Sequence, residues 1–327
     1  MRSTFALAFL VLAGCPKPDE EGKDTNTGDI DGDDTGPAAC VAELFSTDPE
    51  DGDAGVYFRG GVTVSLTDVP TEEPVIQVLD DAGAEVPASI TWDESGLQAF
   101  VDVVLAPSSS FTLHVEVCGA SSDVAFSTSD LGTPLEVPAA DLVGRTYVFS
   151  LADAKITEPS FLDAVAGSYL TVPLLFGVEA ASETEIDFVG ALGELQDDGD
   201  YVQVDGQPTW DFPPADFTGT PYFEAHADEI TIMYGEIAIP IEDFSLSGTF
   251  TSDGEQIAEG YATGFGDSRY MGGLVGRDGD PAAICEIASS AGVDCEDCSD
   301  GEPYCMYIVA TEITAEYELG LTIEVVE

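Results

Sequence analysis

Across most of this sequence, short apolar runs recur at every second position. Near the C-terminus Ile313, Ala315, Tyr317, Leu319, Leu321, Ile323 and Val325 alternate with Thr314, Glu316, Glu318, Gly320, Thr322, Glu324 and Val326. A period of two puts the first set on one face of a β-strand and the second on the other. One face is wholly apolar and the other mostly polar, so the stretch reads as a long antiparallel strand with a wet face, bent at Gly320. Phe111, Leu113, Val115 and Val117 repeat the pattern and turn His114 outward.

Such runs fall into two groups. Between Cys40 and Asp130 they are Val56–Leu66, Val75–Leu79, Ser89–Trp92, Leu97–Val104 and Phe111–Val117. Turn signals separate them at Asp80-Asp81-Ala82-Gly83, Glu94-Ser95-Gly96 and Pro107-Ser108-Ser109. This spacing predicts an antiparallel sandwich over 40–130. Residues 131–142 read as a linker. From Val143 to Glu327 the runs are Arg145–Leu151, Val172–Val178, Glu185–Val189, Tyr201–Val204, Glu229–Tyr234, Glu236–Ile241, Phe244–Phe250 and Ile257–Phe265, then the terminal strand. That many strands fit a barrel or a larger antiparallel sandwich. One helix is expected at Ala282–Ala291, with Asp280 as cap, Pro281 in the first turn and Gly292 as the stop. A second, shorter one is expected at Ser160–Ala166. The fold class is therefore all-β: a sandwich, then a larger antiparallel β domain with one short helix.

The first region also carries a family pattern. It opens with Asp48-Pro49-Glu50-Asp51-Gly52-Asp53-Ala54-Gly55-Val56, continues with a hairpin from Leu105-Ala106-Pro107 to Val115, and ends on Phe126-Ser127-Thr128-Ser129. The order of these features resembles bacterial Ig-like domains of the SbsA type. The resemblance implies a spacer or adhesion unit rather than a catalyst. The stretch from Ile284 to Cys305 is similar to the Cys-rich C-termini of uncharacterised bacterial lipoproteins, which imply no activity.

The N-terminus reads as an address. Arg2 precedes an apolar run, Phe5–Ala13, too short to span a bilayer, which takes about 20 residues. It ends in Leu12-Ala13-Gly14-Cys15, which resembles the lipobox of bacterial lipoproteins. The resemblance implies cleavage of residues 1–14 and acyl chains on Cys15, whose two or more chains hold a membrane stably. This lipid is the only membrane contact expected, at the cell envelope with the outer membrane favoured. Residues 15–39 hold eight acidic residues and no aromatic, a composition that extends rather than folds and reads as a flexible tether. Asp24, Asn26, Asp29, Asp31, Asp33 and Asp34 lack the glycine and glutamate register of a calcium loop.

With Cys15 assigned to lipid, six cysteines remain: Cys40, Cys118, Cys285, Cys295, Cys298 and Cys305. An even number in an exported chain implies disulfides. The simplest partition is one bridge between Cys40 and Cys118 and two within the C-terminal cluster, whose pairing the spacing leaves open. A zinc site is the alternative, because Cys295 and Cys298 form a C-x-x-C pair, but the second such pair is missing.

Charge excludes whole classes of partner. Eight basic residues face 64 acidic ones, a net charge of −56. Subtracting the eight acids and three basic residues before Cys40 leaves 5 − 56 = −51 over residues 40–327. That body offers no basic footprint for nucleic acid and no charge attraction to anionic lipid. A surface of this kind suits high ionic strength, several weak divalent sites, or solubility in a crowded envelope.

Chemistry has few candidates. A Ser-His-Asp set must use His114 or His226. Gly266-Asp267-Ser268 echoes a hydrolase start but lies in β-rich surroundings. No nucleophile-elbow, zinc-protease or P-loop motif occurs. Asp197, Asp198 and Asp200 are the calcium candidates in a loop, and calcium is the one cofactor left open. Trp92 and Trp210 offer rings for sugar stacking, or packing. The expected role is non-catalytic: binding, scaffolding or adhesion by an envelope-anchored lipoprotein, with an unidentified envelope or extracellular partner. The alternatives are an extracellular glycoside hydrolase using a carboxylate pair in the C-terminal domain, and a barrel that carries lipid or another small ligand.

Overall fold

A computed structural model describes residues 40–150, 154–163, 172–234 and 237–326. The expected signal peptide, lipidation at Cys15 and tether lie outside the described residues, as do residues 164–166 of the short helix expected at Ser160–Ala166. Its described part is a single 3-10 turn, Ser160–Leu162.

The first eight strands are β1 (Leu44–Asp48), β2 (Ala54–Val56), β3 (Val62–Leu66), β4 (Val75–Asp80), β5 (Ala88–Trp92), β6 (Gln98–Val103), β7 (Ser110–Val117) and β8 (Ala120–Thr128). They form two four-stranded sheets, β1-β3-β6-β5 and β2-β8-β7-β4. Alternate residues of both sheets share one core, with Val64, Val78, Ala99 and Leu113 fully buried. This is the expected sandwich, antiparallel except for β2, which runs parallel to β8. The expected run Val56–Leu66 is split, because the chain turns at Tyr57–Gly60 and starts a new strand. The Cys40–Cys118 disulfide ties the entry of the sandwich to the end of β7.

The larger region holds β9 (Thr146–Phe149), β10 (Lys155–Glu158), β11 (Leu174–Ala181), β12 (Glu185–Leu195), β13 (Tyr201–Gln203), β14 (Trp210–Asp211), β15 (Ala215–Asp216), β16 (Tyr222–Tyr234), β17 (Ile237–Phe250), β18 (Gln256–Asp267) and β19 (Cys305–Tyr317). The path β19-β18-β17-β16-β15-β12-β11-β9 returns on itself, because β9 pairs with β19 at Phe149–Ala315, Val148–Glu316 and Tyr147–Tyr317. The curl is not a closed barrel. Between β12 and β16 it is bridged by two-residue β15, which shares one residue pair, Asp216–Glu224, with β16. Bulges bend the long strands, and Asp243, Glu259 and Glu312 take positive φ of 48°, 50° and 57°. The bulge at Asp243 also explains why two expected strands, Glu236–Ile241 and Phe244–Phe250, are one.

Aromatic rings fill the interior of this curl. Phe188 and Phe223 lie 4.7 Å apart, Phe176 and Phe212 5.1 Å, Phe223 and Phe250 5.3 Å, and Tyr147 and Phe250 5.4 Å. The burial of these rings is the main driving force for this part of the fold.

Two expectations about the chain path are corrected. The terminal strand does not run to Val325: β19 stops at Tyr317, and the chain reverses at Gly320 (φ +87°). The alternation continues because Leu321 and Ile323 cover Val148, Leu175 and Ala191 on the outside of the sheet. Gln203 then receives Glu324 N–H and donates to its carbonyl. Residues 131–142 are not a free linker either. Leu135 and Val137 pack on the larger core, Ala139 and Leu142 are buried in it, and Glu136 N–H donates to Ser252 O at 2.7 Å. Four apolar anchors in this stretch outweigh its prolines.

Candidate functional site

The disulfide-rich corner is built on Asp267, the last residue of β18. Its side chain is 4% exposed and caps a 3-10 helix, Ser268–Val275, by accepting Arg269 N–H. The Arg269 guanidinium returns to grip it: Nε reaches both carboxylate oxygens at 2.9 Å and Nη2 one of them at 2.6 Å. Arg269 also donates to Asp300. Helix α1 (Ala283–Ser290) follows, its N-terminus held by Asp280, which accepts Ala282 N–H. Cys285 on α1 bridges to Cys295, and Cys298 to Cys305 at the start of β19. Both C-terminal pairs are thus disulfides, and the zinc alternative has no free thiols to use. Ser268 is fully buried and donates to Tyr304 O at 2.7 Å. Gly266-Asp267-Ser268 is therefore a structural corner, and its hydroxyl is out of reach of a substrate.

The other candidates are dispersed. His114 Nδ1 lies 2.6 Å from Asp123 on the neighbouring strand, on the outer face of the sandwich as expected. The pair borders a shallow depression that Leu79, Asp80, Thr112 and Ala125 also line. Among the described residues no hydroxyl bonds the other ring nitrogen. His226 stands exposed beside Glu224 at 3.4 Å. Asp197, Asp198 and Asp200 sit on the exposed β12–β13 turn, where Asp198 accepts Asp200 N–H. No cluster of three or more His, Cys, Asp or Glu side chains fit to hold a metal ion occurs among the described residues. Trp210 is buried in the larger core, and Trp92 is exposed on β5.

One carboxylate pair departs from this pattern. The stacked bulges of β18 and β19 place Glu259 and Glu312 on the outside of the sheet. Packing around Glu259 and the charge of Glu312 both hold the Glu259 carboxyl above its usual range. Glu312 pairs with exposed Lys155 at 3.4 Å.

Two features were not expected from sequence. The first is the joint between the two regions. Tyr57 and Thr249 hydroxyls bond at 2.7 Å, and the Arg59 guanidinium stacks 3.8 Å from the centre of the Tyr222 ring. Burial there pushes the Tyr57 phenol up to about 12. The signal was present in Tyr57-Phe58-Arg59, an aromatic and basic turn on an otherwise acidic surface. The second is β5, a sheet edge that has no further strand beside it among the described residues and is exposed at all five positions. The absence of charge in Ala88-Ser89-Ile90-Thr91-Trp92 is its sequence signal.

No protein family matches the chain, and no curated protein matches it. Among solved structures it is similar to CopC from Methylosinus trichosporium OB3b, at 14% identity and a TM-score of 0.25, over 27% of this chain and 94% of that one. It is also similar to two structures of the S-layer protein SbsC, each at 10% identity and a TM-score of 0.21. Those matches cover 87% and 89% of this chain, which spans 54% and 55% of the S-layer chains. Likenesses this slight carry no argument about function.

Proposed function

We propose that the chain is a non-catalytic envelope lipoprotein whose β body binds or scaffolds a partner away from the membrane. Acyl chains on Cys15 hold it there, and the acidic segment that follows sets the distance. The sandwich acts as a rigid spacer that presents the larger domain.

The joint is the observation that supports this reading. A tether with loosely strung domains explores space; here the connecting strap is anchored on the larger core, and a hydrogen bond and a cation–π stack fix the sandwich to the larger region. The hydrolase-like Gly266-Asp267-Ser268 is engaged in a structural corner, where Asp267 accepts from Arg269 and Ser268 donates to Tyr304 O.

The test uses the full chain, expressed in a bacterium that processes lipoproteins. Wild-type protein is expected in the detergent phase on Triton X-114 partition, and Cys15→Ala in the aqueous phase. Unchanged partition of Cys15→Ala overturns the anchor. Hydrolysis of envelope polysaccharide by the purified chain, lost in Glu259→Gln, overturns the non-catalytic role.

A further inference from the structure

We infer that the free edge of β5 is a docking site for an extended, basic-flanked segment of a partner protein, which adds as a fifth strand to the sheet β1-β3-β6-β5. This names the partner chemistry for the binding role proposed above and rests on that role.

Edge strands invite pairing, and proteins blunt them with charge, proline, bulges or cover. The other edges of the sandwich are blunted. β1 contains a bulge and Asp48. β2 has three residues. β4 ends in Asp80, and the following segment covers its outer side: Val86 N–H donates to Val78 O, and Asp80 N–H to Ala84 O. β5 has none of these devices. Its five residues are uncharged in a body of net charge −51, and its register with β6 runs unbroken from Ala88–Val103 to Trp92–Ala99.

Its side chains are also uncovered. Ile90 and Trp92 pair with Val101 and Ala99, both core residues, so they point to the inner face. Yet they are 41% and 38% exposed. The opposing sheet stops short of β5 and leaves an apolar ledge beside an open row of backbone groups. Strand addition uses both: the backbone supplies affinity, and alternate side chains supply specificity.

Charge selects the occupant. Glu85 precedes the strand, Asp93 and Glu94 follow it, and Asp102 faces Ser89. Hydrogen bonds from the Ser95 hydroxyl, Gln98 N–H and Leu97 N–H hold the Asp93 carboxyl below its usual range, so it stays ionised. A second copy pairing antiparallel on β5 brings Asp93 and Glu94 alongside Glu85 of the other copy, which repels. A segment with alternating apolar residues and lysine or arginine at its ends complements the site.

The test uses the full chain in detergent and the synthetic peptide Lys-Lys-Val-Thr-Val-Thr-Val-Lys-Lys, read by hydrogen exchange. The peptide is expected to protect residues 88–92. Ile90→Lys and Ile90→Pro, the latter removing an N–H that faces away from β6, are each expected to weaken binding by about tenfold or more, and salt is expected to weaken it further. A fold-competent Ile90→Lys protein that binds as before overturns the inference. So does equal binding of a Glu-flanked peptide, or protection of 88–92 that grows with protein concentration alone, which would make a second copy the occupant. Cys15→Ala is expected to bind the peptide as wild type does, so this site and the membrane anchor fail independently.

Discussion

The aromatic filling of the larger domain is open to a single substitution, Phe223→Ala. Phe223 is fully buried, 4.7 Å from the Phe188 ring and 5.3 Å from Phe250. It also flanks Gly248, where an added Cβ would stand 3.3 Å from the ring. Removing the ring forfeits roughly 1.5–3 kcal/mol of burial. The hole it leaves raises the total to about 3–5 kcal/mol for a phenylalanine truncated in a core that cannot collapse. Two ring–ring contacts are lost as well, each worth about 0.5–1.5 kcal/mol, which points to the upper half of that range. For a body this large the melting temperature is expected to fall by about 8–12 °C. Calorimetry and urea unfolding followed by Trp210 emission read both quantities. Benzene adds a control, since a dry engineered hole binds it and regains stability. Benzene is expected to raise the melting temperature of Phe223→Ala and leave the wild type unchanged. A loss below about 1 kcal/mol, or a wild type that benzene stabilises, would refute the filled interior and favour a ligand-carrying lumen.

Other perturbations probe the joint, the bridges and the charge. Tyr57→Phe strands the buried Thr249 hydroxyl and is expected to cost about 1–3 kcal/mol in urea unfolding. The same phenol makes the wild type sensitive to alkali. Its folded pKa lies near 12 against 10.0 unfolded, so its stabilising contribution is complete below pH 10 and is lost as pH rises toward 12. Tyr57→Phe is expected to show a shallower alkaline limb, the remainder coming from Tyr147 and Tyr261, whose phenols burial also pushes up. The Cys40–Cys118 bridge spans 78 residues, the others 10 and 7. Loop-closure entropy makes the long bridge worth about 4.5 kcal/mol against about 2.5 for each short one, an order that serine pairs at each bridge measure by calorimetry. Raising sodium chloride from low to molar concentration is expected to raise the melting temperature, because repulsion within −51 outweighs the few ion pairs that salt also screens; an unchanged value would sink that account.

Phe111–Val117 was legible as β7 because its alternate residues enter one core. Ser89–Trp92 was legible as β5 from its β-branched and aromatic residues, although its side chains are exposed. The helix after Pro281 was found to within a residue. Strands whose outer partner is another sheet residue rather than a core were missed: β8 opens with Ala-Ser-Ser-Asp, and β15 has two residues. The pattern misled at Leu319–Val325, because only Leu321 and Ile323 pack on the sheet after the chain reverses, while Leu319 and Val325 are exposed. Pairing of Cys285, Cys295, Cys298 and Cys305 was illegible because four cysteines within one loop satisfy several geometries. At the joint Tyr57-Phe58-Arg59 marks an unusual turn, but its partners were illegible because Thr249 and Tyr222 lie far from it in the chain.

The basic residues show how so acidic a body stays folded. Five follow Cys40, and each lies where two segments meet. Arg59 joins the sandwich to Tyr222. Arg145 donates to Gly254 O at 2.7 Å and stacks near Tyr317, which fastens β9 to the β17–β18 turn and the end of β19. Lys155 ties β10 to β19 through Glu312. Arg269 holds the disulfide loop through Asp300, and Arg277 joins Asp280 to Glu286 on α1. Exposed pairs contribute little in general, but Arg145 and Arg269 reach backbone carbonyls or a buried carboxylate, where loss of the partner leaves a desolvated group unpaired. The consequence for recognition follows directly. With every cation past Cys40 engaged within the fold, the surface presents carboxylates and a few apolar ledges. A partner must therefore bring its own positive charge, which is the property that distinguishes the peptide expected on β5 from the one expected to fail.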